Sequence, residues 1–247
     1  MELKFPVDSY DLKARYAPAL IVSLPPLIFL WTCFFTEIES LSKLVGGVIS
    51  VVILYFISVI VRAYGRKIES RLWESWGGAP STLLVLWQNQ MIGEDLKKKY
   101  HECVQKYSDL PMPTKEDEEA DYVKAKAMIG DAFKSVKAVI RKHDKDGLWS
   151  IANAEYGFAR NLYGSRIIWL IISIVSLISS IIFLWFSFSN LILIGFILQI
   201  LVLIACVVFS WQILPGYIKQ VAFRYAEHAW ESYCNIVEEI TRLQKQE

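Results

Sequence analysis

The chain has 247 residues, of which 54% are hydrophobic and 14% aromatic, and its formal net charge is +1. Soluble domains contain about 45–50% apolar residues, and the excess in this chain is concentrated in uninterrupted blocks, which is typical of a membrane protein. A nearly neutral chain has no overall field that attracts nucleic acid, so no nucleic-acid partner is expected. The four cysteines, Cys33, Cys103, Cys206 and Cys234, do not have the spacing of a metal site or a disulfide framework.

Four stretches are long and apolar enough to cross the bilayer, which requires about 20 residues. Residues 16–36, 44–61 and 167–218 contain no acidic or basic side chain. The last stretch is too long for one helix, and the polar sequence SFSN at 187–190 divides it into spans at 167–186 and 191–213. The sequence therefore predicts an all-α membrane protein with two transmembrane helical hairpins. The first span is expected to be retained, because it lacks the cleavage site of a signal peptide.

Basic residues near the span ends predict the orientation, since they are enriched on the cytoplasmic side. The loop between the first two spans contains one lysine and two glutamates, and SFSN has no charge. The other flanks are basic: Lys13, Arg15, Arg62, Arg66, Lys67, Arg71, Arg160, Arg166, Lys219 and Arg224. We therefore expect a multi-pass protein of the bacterial inner membrane with both termini in the cytoplasm.

This orientation divides the chain into five predicted parts. They are an N-terminal cytoplasmic segment at 1–15, a first hairpin at 16–61, a cytoplasmic helical domain at 62–166, a second hairpin at 167–214 and a cytoplasmic amphipathic helix at 215–247. The apolar positions of the last helix recur at helical spacing. It is therefore expected to pack on the central domain or on another subunit.

The central domain is predicted to be helical throughout. The second span should continue as a helix through RLWESW (71–76), until the sequence GGAP breaks it. PSTLLVLWQNQM (80–91) predicts a buried helix in preference to a strand, and EDLKKKYHECVQKYSD predicts a charged helix. Thr114 is expected to cap a helix that reaches Lys142, with Gly147 as its C-terminal stop. A last helix, from about Trp149, leads into the third span.

The spans contain polar groups but no ionisable ones, which argues against an ion-coupled transporter. Ser173, Ser176 and Ser180 share one helix face, which indicates either helix packing or a hydroxyl-lined pore wall in an oligomer. Pro25 and Pro26 must disturb the hydrogen bonds of the first span, and they indicate either a kink that serves packing or a gating hinge.

The segment NAEYGFARNLYGSR (153–166), which leads into the third span, has the most specific chemistry. On a helix, Tyr156, Arg160 and Tyr163 share one face, and Gly157, Asn161 and Gly164 form a neighbouring stripe of small or amide side chains that lets another backbone approach closely. Arg160 can stack on a tyrosine ring or bind a carboxylate or phosphate. The segment is interpreted either as an interfacial anchor or as the element that couples the cytoplasmic domain to the second hairpin.

Six residues are therefore the candidates for ligand binding or coupling. Tyr156, Arg160 and Asn161 are expected to contribute to coupling or ligand contact. Lys134, Lys137 and Arg141 line one face of a predicted helix and are candidates for contact with a small anionic ligand or the lipid surface.

Catalysis is not expected, because no phosphate-binding loop or nucleophile elbow is present. RKHDKD (141–146) resembles the histidine–aspartate step of metal phosphohydrolases, but a solvated helix end is the simpler interpretation. A membrane enzyme that uses His143 and Asp144 is the third and weakest hypothesis. No catalytic residue, metal or cofactor is predicted.

The order of a hairpin, a helical insert, a second hairpin and a helical tail resembles small bacterial four-span membrane effectors of nucleotide-signalling defence systems. The resemblance covers topology and no specific motif. It implies an oligomeric, membrane-perturbing or channel-like effector under the control of its cytoplasmic helices, with a function in antiviral defence against phage. The alternative hypothesis is a non-catalytic scaffold or accessory subunit that anchors a cytoplasmic protein partner at the membrane.

Overall fold

The structure is a computed structural model that describes residues 9–34, 43–144 and 147–244, except for the side chains of 43–51. The described part is all-helical and contains no strand. Several predicted features lie outside the described residues: the first eight residues of the N-terminal segment, most of the loop between the first two spans, Asp146 of the RKHDKD sequence, and the last three residues of the chain.

Ten helices are labelled here in chain order. A helical turn at Ser9–Asp11 and a π-helical turn at Leu12–Tyr16 precede the first of them, and a second π-helical turn, Phe209–Ile213, precedes the last. The helices are α1 (Ala17–Cys33), α2 (Lys43–Ser75), α3 (Pro80–Leu83), α4 (Glu94–Ser108), α5 (Lys115–Ala120), α6 (Tyr122–His143), α7 (Leu148–Gly164), α8 (Arg166–Phe186), α9 (Asn190–Val208) and α10 (Leu214–Gln244).

The chain divides into two compact units. Unit 1 comprises Met1–Glu69 and Gly157–Ile218, and unit 2 comprises Ser70–Tyr156 and Lys219–Glu247. The unit boundaries fall inside helices α2, α7 and α10, so each of these helices contributes residues to both units.

Three helical stretches are long and apolar enough to cross a membrane: Leu12–Cys33, Arg166–Phe186 and Asn190–Gln244. The predicted break at SFSN is confirmed, because α8 ends at Phe186 and Ser189 caps the start of α9. The Ser189 hydroxyl accepts the Ile192 N–H at 3.2 Å. Three such helices among the described residues are consistent with a membrane protein.

The polar residues of the spans face the interior of unit 1. Ser173, Ser176 and Ser180 are all buried. The Gln199 side chain, on α9, donates to the Ser180 hydroxyl on α8 at 2.9 Å. The three buried serines therefore serve packing between the helices of this chain.

The two prolines of the first span do not interrupt it, because helix α1 remains helical through Pro25 and Pro26.

Helix α2 runs unbroken from Lys43 to Ser75. This confirms the prediction that the helix of residues 44–61 continues beyond its apolar stretch. The GGAP sequence ends it as expected. Gly77 and Gly78 have φ angles of 88° and 152°, which side chains other than glycine rarely adopt. Pro80 then occupies the first turn of α3, a position where its missing N–H costs no hydrogen bond.

The prediction of a helix over residues 80–91 is wrong beyond the first turn. Helix α3 ends at Leu83, and residues 84–93 form irregular turns. Leu84, Val85 and Leu86 are nevertheless buried. The apolar run correctly indicated burial, but it did not determine the backbone conformation.

Buried ionisable side chains provide the hydrogen bonds that a helix would have supplied there. The Glu118 carboxylate accepts the Trp87 and Gln88 N–H groups at 2.7 and 2.9 Å. The Lys97 ammonium donates to the carbonyls of Trp87, at 3.1 Å, and Asn89. Lys97 and Glu118 are each only 1% exposed. Because an unpaired buried backbone group is costly, these side chains stabilise a loop with no regular structure.

His101 completes this arrangement. Its Nε2 lies 2.9 Å from the Val85 carbonyl, and since a carbonyl can only accept, Nε2 carries the proton. Burial lowers the pKa of His101 below its ordinary value, although the hydrogen bonds to backbone carbonyls oppose that shift. The imidazole therefore has a structural role as a hydrogen-bond donor to the loop.

The predicted helix from Thr114 to Lys142 is two helices. Thr114 and Asp117 form the reciprocal capping box of α5, with the Asp117 N–H 3.1 Å from the Thr114 hydroxyl. Asp121 then leaves helical geometry, and its carboxylate accepts the Lys124 N–H at 2.9 Å. Asp121 thus ends α5 and caps α6.

The C-terminal helix supplies the core of unit 2. The Trp230 side chain is fully buried and its indole N–H donates to the Ser81 carbonyl at 2.9 Å. Its ring also packs against Phe133, with the centroids 5.3 Å apart. Of the two packing partners that the sequence left open for this helix, the structure shows the central segment of the same chain.

Candidate functional site

The structure confirms that the small residues of segment 153–166 let another backbone approach closely. Gly164 of α7 lies against Gly65 of α2 so closely that a Cβ added to Gly164 would be 2.6 Å from the Gly65 nitrogen. A Cβ added to Gly65 would be 2.8 Å from the Asn161 Cα, and one added to Gly157 would be 2.8 Å from the Ala14 Cβ. Such distances leave no space for a side chain, so glycine is required where α2 and α7 cross.

Asn161 lies at this crossing and is 1% exposed. Its side-chain amide donates to the main-chain carbonyl of Ala14 at 2.7 Å. Ala14 belongs to the π-helical turn that precedes the first span, and a π-helical turn commonly leaves a backbone carbonyl outside the regular hydrogen-bond pattern. Asn161 therefore connects α7 to the base of the first span.

Arg160, the neighbouring residue, forms an ion pair with Glu69 on α2. Its Nη1 lies 2.9 Å from Glu69 Oε1, and the two side chains are only 13% and 21% exposed. The guanidinium also approaches the Asn161 side-chain oxygen at 3.4 Å. Of the two kinds of partner predicted for Arg160, the structure provides a carboxylate from the same chain. An external anion would have to compete with Glu69 for it.

A second arginine of this segment, Arg166, stacks on a tyrosine ring. The Arg166 guanidinium lies 3.8 Å from the centre of the Tyr163 ring, and it also donates to the Tyr163 carbonyl at 3.2 Å. This arrangement is typical of an aromatic and basic pair at the membrane interface.

Tyr156 contacts two aromatic side chains of unit 2. Its hydroxyl accepts the indole N–H of Trp73 at 3.2 Å, and its ring stacks on Tyr225 with the centroids 5.7 Å apart. The side chain is 5% exposed. Its burial, its hydrogen bond and its ring stacking make Tyr156 a core residue of unit 2.

Lys134, Lys137 and Arg141 lie on α6 in unit 2. Lys134 and Arg141 are exposed and Lys137 is half-buried. Lys134 pairs with Asp131 at 2.7 Å in an exposed ion pair. Together with Lys142 and His143, Arg141 places positive charge in the last turn of α6, where it complements the helix dipole.

His143 and Asp144 do not form a metal site in the described part of the chain, where no group of three suitable ligands occurs. Asp144 instead accepts the Ser150 N–H at 3.2 Å, near the start of α7. Burial raises the pKa of Asp144, while hydrogen bonds from the backbone and the charge of His228 oppose that shift. The carboxylate thus has a capping role.

An apolar groove of about 490 Å³ opens in unit 1. Leu24, Phe158, Trp169, Val202 and Phe209 are among the side chains that line it. A lining without charged side chains fits a hydrocarbon chain better than it fits a polar ligand.

Sequence reasoning missed Gly65, Glu69 and Trp73, the residues of α2 on which these contacts depend. A glycine inside a long helix is a recognisable signal for close packing, so Gly65 could have been identified. Glu69 could not, because its partner lies 91 positions away in the sequence.

No family model, curated protein sequence or solved structure has significant similarity to the chain. Its function is therefore argued from the geometry alone.

Replacing Gly65 by alanine should destabilise unit 1, because the new methyl group would overlap Asn161. Overpacking of this kind costs about 1–3 kcal/mol. We expect a lower melting temperature for the detergent-purified protein, measured by the loss of its monodisperse chromatographic peak after heating. Gly216→Ala is the control, since a Cβ at Gly216 would contact nothing within 4 Å. Equal melting temperatures for the two variants would contradict the proposed crossing.

The coupling between Arg160 and Glu69 should exceed that of a surface ion pair. Exposed pairs contribute about 0.2–1 kcal/mol, and this pair is largely withdrawn from water. A double-mutant cycle with Arg160→Ala and Glu69→Ala, measured by denaturing-detergent titration in mixed micelles, should give a coupling energy above about 1 kcal/mol.

The pair between Lys134 and Asp131 provides the matched control for that cycle. Its N–O distance is 2.7 Å, but its side chains are 80% and 72% exposed. We expect a much smaller coupling energy there. Similar coupling energies in the two cycles would mean that burial adds nothing to the Arg160–Glu69 contact.

Proposed function

We propose that the chain is a non-catalytic membrane anchor with four spans, which holds a cytoplasmic protein partner at the bacterial inner membrane through the surface of unit 2. Both termini and the segment between the two hairpins would then lie in the cytoplasm.

The fourth span of this proposal is the first part of α2. Its uncharged stretch, residues 44–61, belongs to unit 1 together with the three apolar helices. Phe56 is 61% exposed, and Val52 and Ile53 are each about half exposed. Val61, by contrast, packs into the core formed by Val22 and Trp169. A helix with one face packed and the other face apolar and exposed is suited to lipid contact.

The orientation of the polar side chains in the apolar helices is the main support for an anchor function. Ser173, Ser180 and Gln199 are buried, whereas most exposed positions of the same helices are apolar, among them Ile171, Ile178 and Leu201. Ser179 is half-buried, and its hydroxyl donates to the Val175 carbonyl of its own helix at 2.9 Å. A water-filled pore between subunits requires a polar helix face directed away from the chain's own core. The inward orientation favours an anchor over a channel-like effector.

The partner surface is proposed to include the basic face of α6. Lys134 and Arg141 project from unit 2, and Lys137 lies between them in the helical repeat. Basic side chains spaced by three and four residues share one face of a helix. They favour an acidic surface on the partner protein.

The four-span topology can be tested with single cysteines at exposed positions, introduced after the four native cysteines have been replaced. Leu12, Met91 and Phe188 are 58%, 57% and 71% exposed. In spheroplasts, a membrane-impermeant maleimide should label Phe188→Cys alone, and all three variants should be labelled after lysis. An arrangement in which only the helices Leu12–Cys33, Arg166–Phe186 and Asn190–Gln244 cross the membrane places Leu12 and Met91 on opposite sides. External labelling of only one of these two would therefore overturn the four-span proposal.

The anchor function predicts that expression of the chain in bacteria leaves the membrane potential unchanged. It also predicts that a cytoplasmic protein co-purifies in fixed proportion after cross-linking. The triple variant Lys134→Glu, Lys137→Glu, Arg141→Glu should lose that protein. A control with Lys98, Lys106 and Lys124 changed to glutamate, all exposed in unit 2, should retain it.

Collapse of the potential, read with a voltage-sensitive dye and lost in Arg160→Ala, would overturn the anchor proposal. That result would favour the membrane-perturbing effector with segment 153–166 as its coupling element. Equal partner recovery from the two triple variants would reject the basic face as the docking surface.

A further inference from the structure

We propose that Cys103 and Cys234 are a redox-responsive thiol pair, which forms a reversible disulfide between helices α4 and α10 of unit 2 when the cell is exposed to peroxide. This inference does not depend on the proposed partner binding, but it rests on the cytoplasmic location proposed for unit 2.

Two contacts on either side of the cysteines establish how these helices pair. Lys99 of α4 lies 3.9 Å from Glu238 of α10, and the Ser108 hydroxyl lies 2.5 Å from the Tyr233 hydroxyl. As the residue numbers on α4 rise, those on α10 fall, so the two helices are antiparallel here. Cys103 lies four residues after Lys99, and Cys234 lies four residues before Glu238. Since one helical turn is 3.6 residues, this register places the two cysteines opposite each other.

Both thiols are reduced and buried, with Cys103 6% and Cys234 1% exposed. The Lys99–Glu238 and Ser108–Tyr233 contacts hold the two helices together on either side of the cysteines. Disulfide formation requires the Cβ atoms of two cysteines to be within about 4.5 Å, and cysteines at facing positions of two packed helices are placed to meet that requirement. The other cysteines, Cys33 and Cys206, lie in the apolar spans of unit 1.

A small opening leads from the surface of unit 2 to Cys234, one member of this pair. Cys234 lines a cavity of about 190 Å³ together with Lys99, Glu231 and Asn235. A water molecule occupies about 30 Å³ in the liquid, so the cavity admits hydrogen peroxide. Folded protein thiols are too large to enter it.

The surroundings of Cys103 favour its ionisation. The Cys234 thiol, and after it the positive charges of Lys99 and Lys106, lower the pKa of Cys103, while burial opposes that shift. A thiolate is the form that attacks an oxidant.

The reaction balances with peroxide as the sole oxidant. One thiol of the pair loses its proton, and its thiolate attacks one oxygen of hydrogen peroxide. The O–O bond breaks, and the leaving hydroxide takes up the released proton as the first water, which leaves a sulfenic acid on that cysteine. The other thiol then attacks this sulfur, the S–O bond breaks, and the leaving oxygen takes up the proton of the second thiol as the second water. Two thiols and one peroxide thus give one disulfide and two waters. Cytosolic thiols return the pair to the reduced state by exchange.

A cytoplasmic location suits a transient bond of this kind. Stable disulfides are rare in the cytosol, where those that form are usually catalytic or redox-sensing. The bond would fix α10 against α4 beside the Tyr100–Trp230 stack, and it would therefore limit movement of the C-terminal helix within unit 2.

The test uses the full chain purified in detergent, fully reduced and then treated with hydrogen peroxide. Before alkylation we expect a product lighter by two hydrogen atoms, with two of its four thiols no longer accessible to maleimide after unfolding. Peptide mapping should find Cys103 joined to Cys234, and dithiothreitol should reverse the change. The variant Cys33→Ser, Cys206→Ser should behave as the wild type, whereas Cys103→Ser and Cys234→Ser should form no intramolecular disulfide.

Peptide mapping of the wild-type protein makes the outcome independent of whether these variants fold. Four free thiols after peroxide treatment would overturn the proposal. A cross-link that involves Cys33 or Cys206, or oxidation of Cys103 to sulfinic acid without a cross-link, would do the same.

Discussion

The main-chain contact between Gly65 and Gly164 is the constraint on which the arrangement of unit 1 depends. Two helix backbones that approach this closely fix their crossing point, because a side chain at either position would force them apart. Small residues have this role in membrane proteins, where hydrocarbon provides no hydrophobic force to bring helices together. Once α2 and α7 are fixed here, the Arg160–Glu69 ion pair and the Asn161–Ala14 hydrogen bond follow as neighbours of the crossing. The polar contacts are thus positioned by the glycines and add stability to the same crossing.

A different constraint governs unit 2, where buried charge replaces regular structure. The irregular residues 84–93 are held by Lys97 and Glu118, which are both almost inaccessible to water. Removing one such partner leaves a buried backbone group or a buried charge without compensation, which is far more costly than the loss of a surface ion pair. Burial lowers the pKa of Lys97, and the charge of Glu118 opposes that shift. The loop therefore depends on side chains from two separate helices, α4 and α5.

Local signals in the sequence were sufficient for most helix boundaries. The glycines at 77 and 78, the SFSN sequence and the Thr114 cap each act within one turn of the chain, and each was identified correctly. Asp121 gave a local signal as well, since aspartate is a preferred cap, but the apolar periodicity across it suggested one continuous helix. The helix prediction for residues 84–91 failed for another reason. The hydrogen bonds of this loop come from Lys97 and from Glu118, which is 30 residues away from Gln88, so no local sequence pattern indicates them.

The candidate functional residues also divide into those with a local sequence signal and those whose partners are distant in sequence. The close approach of another backbone to the stripe of Gly157, Asn161 and Gly164 could be predicted, because the spacing of these residues places them on one face of a single helix. The partners of Arg160 and Cys103 could not be predicted, since Glu69 and Cys234 are distant in sequence and become neighbours only through the packing of helices. The cysteine spacing even argued against any pairing, because spacing rules describe ligands on one local motif and not thiols on two antiparallel helices.

Several hydroxyl groups in the apolar helices bond to their own helix. Ser23, Ser58 and Ser173 each donate to a carbonyl three or four residues earlier, so they need no partner on another helix. The hydrogen bond from Gln199 to Ser180 joins two helices instead. The Gln199 side-chain oxygen and the Ser210 hydroxyl have no hydrogen-bond partner among the described residues, but both side chains are only 1% exposed. Because these polar groups are buried inside unit 1, they do not provide a polar outer face for a pore between subunits. The groups proposed to react or to bind a partner, which are the Cys103–Cys234 pair and the basic residues of α6, belong to unit 2.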